Sequence, residues 1–123
     1  VAPSQLGSIE YATSQFGTRL VVVMGHSGCG AVSTTIDQIC QPPTSCSQNL
    51  SSIVNRLKPA VEPLIKLGLE EEELLNRAVR ANILHSVEQL RSGSEILSDQ
   101  IKNEGLHVVG AQYSLSTGKV DFL

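Results

Sequence analysis

The sequence predicts an α/β fold, a mostly parallel central sheet flanked by helices and closed by a C-terminal hairpin. Three observations carry this. Leu20-Val-Val-Val-Met24 is unbroken, apolar and β-branched, the pattern of a strand buried on both faces of a parallel sheet. A second apolar strand, Leu106 to Gln112, comes only after a long helical stretch, as a parallel crossover requires. Ser116-Thr-Gly118 then forms a turn into a closing strand, Lys119 to Leu123. Leu20–Met24 is expected at the centre of the sheet, with Leu106–Gln112 beside it.

Each remaining element has its own signal. Ser4 is a candidate N-cap for a helix whose apolar residues are Leu6, Ile9, Ala12 and Phe16, and Gly17 can close it. Gly25 to Gly30 breaks the first strand, and Ala31 to Ile39 reads as a helix entered from that turn. Cys40 to Asn49 is polar, carries Pro42-Pro43 and reads as a loop. Leu50 to Leu67 has Ile53, Val54, Leu57, Val61, Leu64 and Ile65 on one side of a helix that Pro59 and Pro63 should break or kink. Glu70 to Leu90 is a long amphipathic helix opening with four glutamates, where the helix dipole favours acid. After Gly93-Ser94 a shorter helix runs to about Glu104 and ends at Gly105. Two or three strands make a thin sheet for such helices. Strands upstream or a partner chain are expected to complete the core.

Composition narrows the function. The 123 residues make a single domain, 41% apolar with mean hydropathy +0.04, which excludes a disordered polymer. Leu20 to Met24, the longest apolar run, is far short of a membrane span. The opening Val-Ala-Pro-Ser-Gln does not read as a signal peptide, so a soluble, cytoplasmic protein is expected. Nine basic against twelve acidic residues give net −3 without a Lys/Arg block, against a nucleic-acid or anionic-membrane partner. The few aromatics, Tyr11, Phe16, Tyr113 and Phe122, argue against base stacking. Cys29, Cys40 and Cys46 are an odd count, which points to reactive or metal-binding use rather than a disulfide scaffold.

Chemistry is expected past the carboxyl end of the first strand, where open α/β sheets bind ligands. The turn there is Gly25-His26-Ser27-Gly28-Cys29-Gly30. An imidazole and a thiol three residues apart on a tight turn can converge on one ion at about 2.0–2.3 Å. Cys29 also opens a helix, where the dipole favours the thiolate that a metal requires. Other readings exist. The segment could be a glycine-rich turn with a packed His and a buried Cys. Cys29 could be a nucleophile, although Ala31 to Thr35 offers no Arg or Lys to hold an oxyanion. A dinucleotide loop is disfavoured because GxGxxG spacing is absent.

The neighbouring residues discriminate. Ser8-Ile-Glu-Tyr-Ala12 followed by Leu20-Val-Val-Val-Met-Gly-His-Ser-Gly-Cys-Gly-Ala-Val32 resembles the central segment of the β-class carbonic anhydrases. Asn76-Arg-Ala-Val-Arg-Ala-Asn-Ile83 is similar to that family's long helix. Leu106-His-Val-Val-Gly-Ala-Gln-Tyr113 and Thr117-Gly-Lys-Val120 are similar to its last strand and hairpin. The resemblance runs from about Ser4 to Leu123. It implies a zinc lyase of the carbonate dehydratase type, catalysing reversible hydration of carbon dioxide to bicarbonate. His26 and Cys29 are then two of the ligands to Zn2+, in a homodimer or higher homo-oligomer with sites near subunit interfaces.

The chain also departs from the family pattern. In the family another zinc ligand is a Cys on an upstream strand, in a CxDSR-like motif whose Asp and Arg form the catalytic dyad. No such motif occurs here, and Val1-Ala-Pro-Ser resembles the family's stretch just beyond that region. The expectation is a β-carbonic anhydrase-like domain over residues 1–123 lacking its first two strands, one ligand and the dyad, so that no catalytic residue is assigned. The alternative is a catalytically impaired paralogue acting as a binding or scaffold protein. No resident group is a clear substitute ligand. Cys40 lies eleven residues past Cys29, about 16 Å along a helix. Cys46 would need its loop to fold back. His85 and His107 read as structural, Asp37 and Asp121 lie in no motif, and Glu70 to Glu73 read as a solvated helix start.

Overall fold

Strand β1 (Leu20–His26) pairs in parallel with β2 (His107–Tyr113), from Leu20 opposite His107 to His26 opposite Tyr113. β3 (Val120–Phe122) runs antiparallel to β2, with Ala111 opposite Phe122. The computed structural model describes residues 1–41 and 47–123. Among the described residues, five helices accompany the sheet: α1 (Pro3–Phe16), α2 (Gly30–Cys40), α3 (Gln48–Ile65), α4 (Glu71–Ser92) and α5 (Glu95–Asn103). The α/β class and the parallel pairing are as the sequence predicts.

The position of β1 is not. The strand order is β1-β2-β3, so β2 is central and β1 lies at an edge. Nor is β1 covered on both faces. Val21, Val23 and Gly25 are half-buried, whereas Leu20 and Met24 are each 55% exposed. Both buried clusters lie on the Val23 side, one built on Val32, Val61, Ala78, Val79 and Ile83, the other on Val87, Leu90, Leu97, Leu106 and Val108. The opposite face carries Leu20, Val22 and Met24 with Val120 and Phe122, all exposed. The apolar run has the composition of a doubly covered strand, and the described residues cover only one of its faces.

Helix α4 is the spine of the core. It supplies Ala78, Val79 and Ile83 to one cluster and Val87 and Leu90 to the other. Ile83 reaches the sheet between two glycines on adjacent strands. A Cβ built on Gly25 would stand 2.7 Å from both Cγ1 and Cδ1 of Ile83, and one on Gly110 2.9 Å from its Cγ2. Gly25→Ala should therefore overpack the strand–helix contact and cost about 1–3 kcal/mol, read as a lower urea midpoint with an unchanged slope.

Two local expectations are corrected. The N-cap of α1 is Ala2, not Ser4, with Pro3 in the first turn where its missing N–H costs nothing. The Ala2 amide donates to Gln5 Oε1 at 2.8 Å, while the Ser4 carbonyl inside the helix accepts from Ser8 Oγ at 2.9 Å. Gly17, at φ 63°, ends α1 as expected. Helix α3 runs unbroken through Pro59 and Pro63. The prolines are four residues apart on its exposed side, so the carbonyls of Asn55 and Pro59 that lose donors face water. The predicted 40–49 loop lies partly outside the described residues, and α3 begins at Gln48.

Ser94 ties α5 to α1. Its hydroxyl accepts from the Leu97 amide at 3.2 Å, capping α5, and donates to Glu10 Oε1 of α1 at 2.6 Å.

Candidate metal centre

His26 is the last residue of β1, at the carboxyl end of the parallel pair, and Cys29 is the N-cap of α2. Only Ser27 and Gly28 separate the end of the strand from the N-cap of the helix. Gly28 makes so short a reversal possible by taking φ +64°, where a side chain would be strained. Ser27 fastens the turn to the hairpin beside it. Its amide donates to the Tyr113 carbonyl at 2.9 Å, and its hydroxyl accepts from the Leu115 amide at 3.0 Å.

The His26 ring is oriented within the turn. Nδ1 lies 3.0 Å from the Ser27 carbonyl oxygen, which can only accept. In the neutral ring Nδ1 is therefore the protonated nitrogen and Nε2 carries the lone pair, the tautomer a metal-binding imidazole needs. Cys29 makes no side-chain cap bond, so its sulfur is not engaged by the helix end, and it is a free thiol. The donor types, an imidazole and a thiol at a helix N-terminus, suit zinc.

The surroundings of the two side chains differ. Cys29 is half-buried and lines a cavity of about 720 Å³ with Val23, Leu57, Arg56, Asn82 and Ser86. His26 is exposed and lines a separate recess of about 290 Å³ with Met24, Gly25, Tyr113 and Leu115. Among the described residues, no group of three His, Cys, Asp or Glu side chains is placed to hold a metal ion. His26 and Cys29 are two donors of the three or more that a zinc site requires.

The other candidates lie elsewhere. Cys40 is exposed at the far end of α2, and Cys46 lies outside the described residues. His107 is exposed at the opposite end of the sheet, where it pairs with Leu20. His85 is half-buried on α4, its Nε2 buried with no hydrogen-bond partner. Asp121 pairs with Gln112 on β3 and is exposed. Asp37 meets the end of α2 only through its carbonyl, which accepts from Gln41 N at 2.7 Å. Glu71 to Glu73 occupy the first turn of α4, and Glu73 pairs with Arg77 at 2.6 Å.

Sequence reasoning missed the polar groups facing Cys29 across the cavity. Asn82 and Ser86 are four residues apart on α4, one face of a helix, and neither is exposed. Their polarity beside Ile83 and Val87 was a signal. Among the described residues, no helix is long and apolar enough to cross a membrane.

Comparison with known proteins gives one consistent result. The family model described as carbonic anhydrase matches residues 2–120. A carbonic anhydrase of Mycolicibacterium smegmatis is 30% identical over 116 residues, covering 94% of this chain and 54% of the relative. Carbonic anhydrase 2 of Mycobacterium tuberculosis is 31% identical over 114 residues, covering 93% and 53%. The chain thus spans about half the length of these curated relatives. Among solved structures, a β-carbonic anhydrase of Aspergillus fumigatus superposes with TM-score 0.86 at 21% identity, over 100% of this chain and 57% of that one. A tetrameric β-carbonic anhydrase of Sordaria macrospora gives 0.82 at 22%, over 100% and 62%.

Proposed function

The chain belongs to the carbonic anhydrase family and has the β-class fold, and from that premise we propose that the polypeptide it represents is a zinc-dependent carbonate dehydratase interconverting carbon dioxide and bicarbonate. The observation that carries this is the strand–turn–helix itself. It sets His26 and Cys29 three residues apart at the carboxyl end of a parallel strand, with His26 Nε2 free.

When bound, zinc supplies the Lewis acidity that makes water a nucleophile near neutral pH. The chain's own residues do the rest. His26 would hold the metal through Nε2 and Cys29 through its sulfur as thiolate, and the Ser27 carbonyl, 3.0 Å from Nδ1, would keep the imidazole oriented. Val23, Leu57 and Leu90 give the cavity beside Cys29 an apolar lining suited to a small apolar gas, while Arg56, Asn82 and Ser86 offer donors to an anionic product. The third donor and an acid–base pair come, in this proposal, from the upstream segment the family resemblance implies. A reducing, cytoplasmic setting belongs with it, because Cys29 must stay a thiol.

The test is stopped-flow hydration with zinc measured in the same samples, on the 123-residue chain and on a longer polypeptide with the upstream segment. The longer form should carry one zinc per chain and be active, and the short form should hydrate carbon dioxide poorly or not at all. A zinc-free, inactive longer form would overturn the proposal. It would favour a binding or scaffold protein, which the two-donor set among the described residues already suits. Full activity with one zinc per short chain would show instead that Cys46 or a partner subunit supplies the third ligand.

The proposal includes self-association. The uncovered sheet face, with Leu20 and Met24 at 55% and Phe122 at 68% exposure, carries the apolar surface that a partner would bury. Sedimentation of the 123-residue chain at micromolar concentration should show dimers or larger species, and a stable monomer would refute it.

A further inference from the structure

We propose that Ser27 is the positioning residue of the metal turn, clipping it to the β2–β3 hairpin so that His26 presents Nε2. The inference deepens the zinc reading above and rests on it only for the identity of the metal. Three bonds meet at this residue. Its amide extends the β1–β2 ladder by one step to the Tyr113 carbonyl, at 2.9 Å. Its hydroxyl accepts from the Leu115 amide at 3.0 Å, across 88 positions of sequence. Its carbonyl accepts from His26 Nδ1–H at 3.0 Å.

The carbonyl bond is the one that fixes the tautomer, and it depends on the other two. The Ser27 oxygen belongs to the peptide unit shared with Gly28, the most permissive residue type, here at φ +64°. A peptide followed by glycine can rotate between turn types with little penalty, and rotation would carry the oxygen away from His26. The hydroxyl bond opposes that rotation by tying the Ser27 side chain to the hairpin. The hairpin end is itself anchored, because Ser114 N donates to the Lys119 carbonyl at 2.9 Å and Gly118 N to the Ser114 carbonyl at 2.8 Å. A rigid tip thus holds the turn that holds the ligand.

The test compares Ser27→Ala, Ser27→Thr and Ser27→Val. Thr keeps the hydroxyl, and Val matches the shape of Thr without it. Long-range proton–nitrogen spectra of the metal-free chain, recorded where the ring is neutral, report the His26 tautomer, and cadmium alone serves as the thiolate-binding probe. Wild type and Ser27→Thr should show mainly Nδ1–H. Ser27→Ala and Ser27→Val should show both tautomers and bind cadmium on the order of tenfold more weakly. Should Ser27→Ala fail to fold, the Thr/Val pair still isolates the hydroxyl. A role in stability alone would lower the unfolding midpoint without moving the tautomer, and that result overturns the proposal. So do tautomer ratios and cadmium affinities that are equal across the series. If the wild-type chain, with only two donors among the described residues, binds no cadmium, the tautomer ratios still decide whether Ser27 positions the ring, and the zinc reading is decided separately by the zinc content of the longer form.

Discussion

Replacing His26 or Cys29 by Ala in the longer polypeptide should remove zinc and carbon dioxide hydration together. Either change leaves one donor on the turn, and no group of three candidate ligands stands elsewhere among the described residues to compensate. Losing an outer partner of a metal ligand costs roughly 10–100-fold in affinity or activity, so losing a ligand should exceed that range. His26 is exposed, and Cys29 is half-buried at the margin of the cluster around Val32, so the fold should survive both substitutions, with the larger stability cost at Cys29. Elemental analysis and stopped-flow rates on the same preparations separate the outcomes. Zinc retained with activity lost would make the residue catalytic rather than a ligand. Activity retained at full zinc would remove the turn from the site.

The largest effect on stability is expected at Ile83. It is 2% exposed, and its branches fill the space above Gly25 and Gly110, which have no side chains to move inward. Ile83→Ala leaves a void that neither strand can close and should cost about 2–5 kcal/mol, against a total of about 5–15 kcal/mol for a domain. Urea unfolding of the 123-residue chain measures it, with Ile83→Val expected at about 0.5–1.5 kcal/mol. Gly25→Ala should lose most of its own penalty in the Ile83→Ala background, because the atoms its Cβ would strike are then gone. Additive costs would show that the glycines are not there to admit Ile83.

Much of this architecture was legible because it is local. The β-branched run, the glycine-broken turn and the helix after it are written in adjacent residues, and Gly17 and Gly105 mark helix ends with a positive φ. The edge position of β1 was not legible. Leu20 to Met24 has the same composition whether the strand is central or at an edge and whether or not its second face is covered, and only the strand order and the exposure of Leu20 and Met24 tell the cases apart. The prolines of α3 misled because a proline penalises a helix least where the freed carbonyl meets water, and exposure is a tertiary fact. The proposed ligands His26 and Cys29 were singled out from spacing and family resemblance. The Ser27 clip was not, since its partner Leu115 is distant in sequence. The Arg56, Asn82 and Ser86 wall likewise forms only when α3 and α4 pack against the turn.

The parallel pairing also sets a timetable. β1 cannot join β2 until His107 and its neighbours exist, because Leu20 pairs with His107 at the far end of the chain. Among the described residues, the elements between are helices, which close their own hydrogen bonds locally, whereas this ladder must close the whole stretch from Leu20 to His107 as one loop. On a ribosome adding about 5–20 residues each second, the Val21–Val23 segment is made early and waits several seconds for its partner. During that wait its apolar side chains and both backbone edges are open to other chains, the condition under which strands aggregate. The yield of folded protein should therefore depend on chaperone supply and growth temperature more than the stability of the finished domain would suggest.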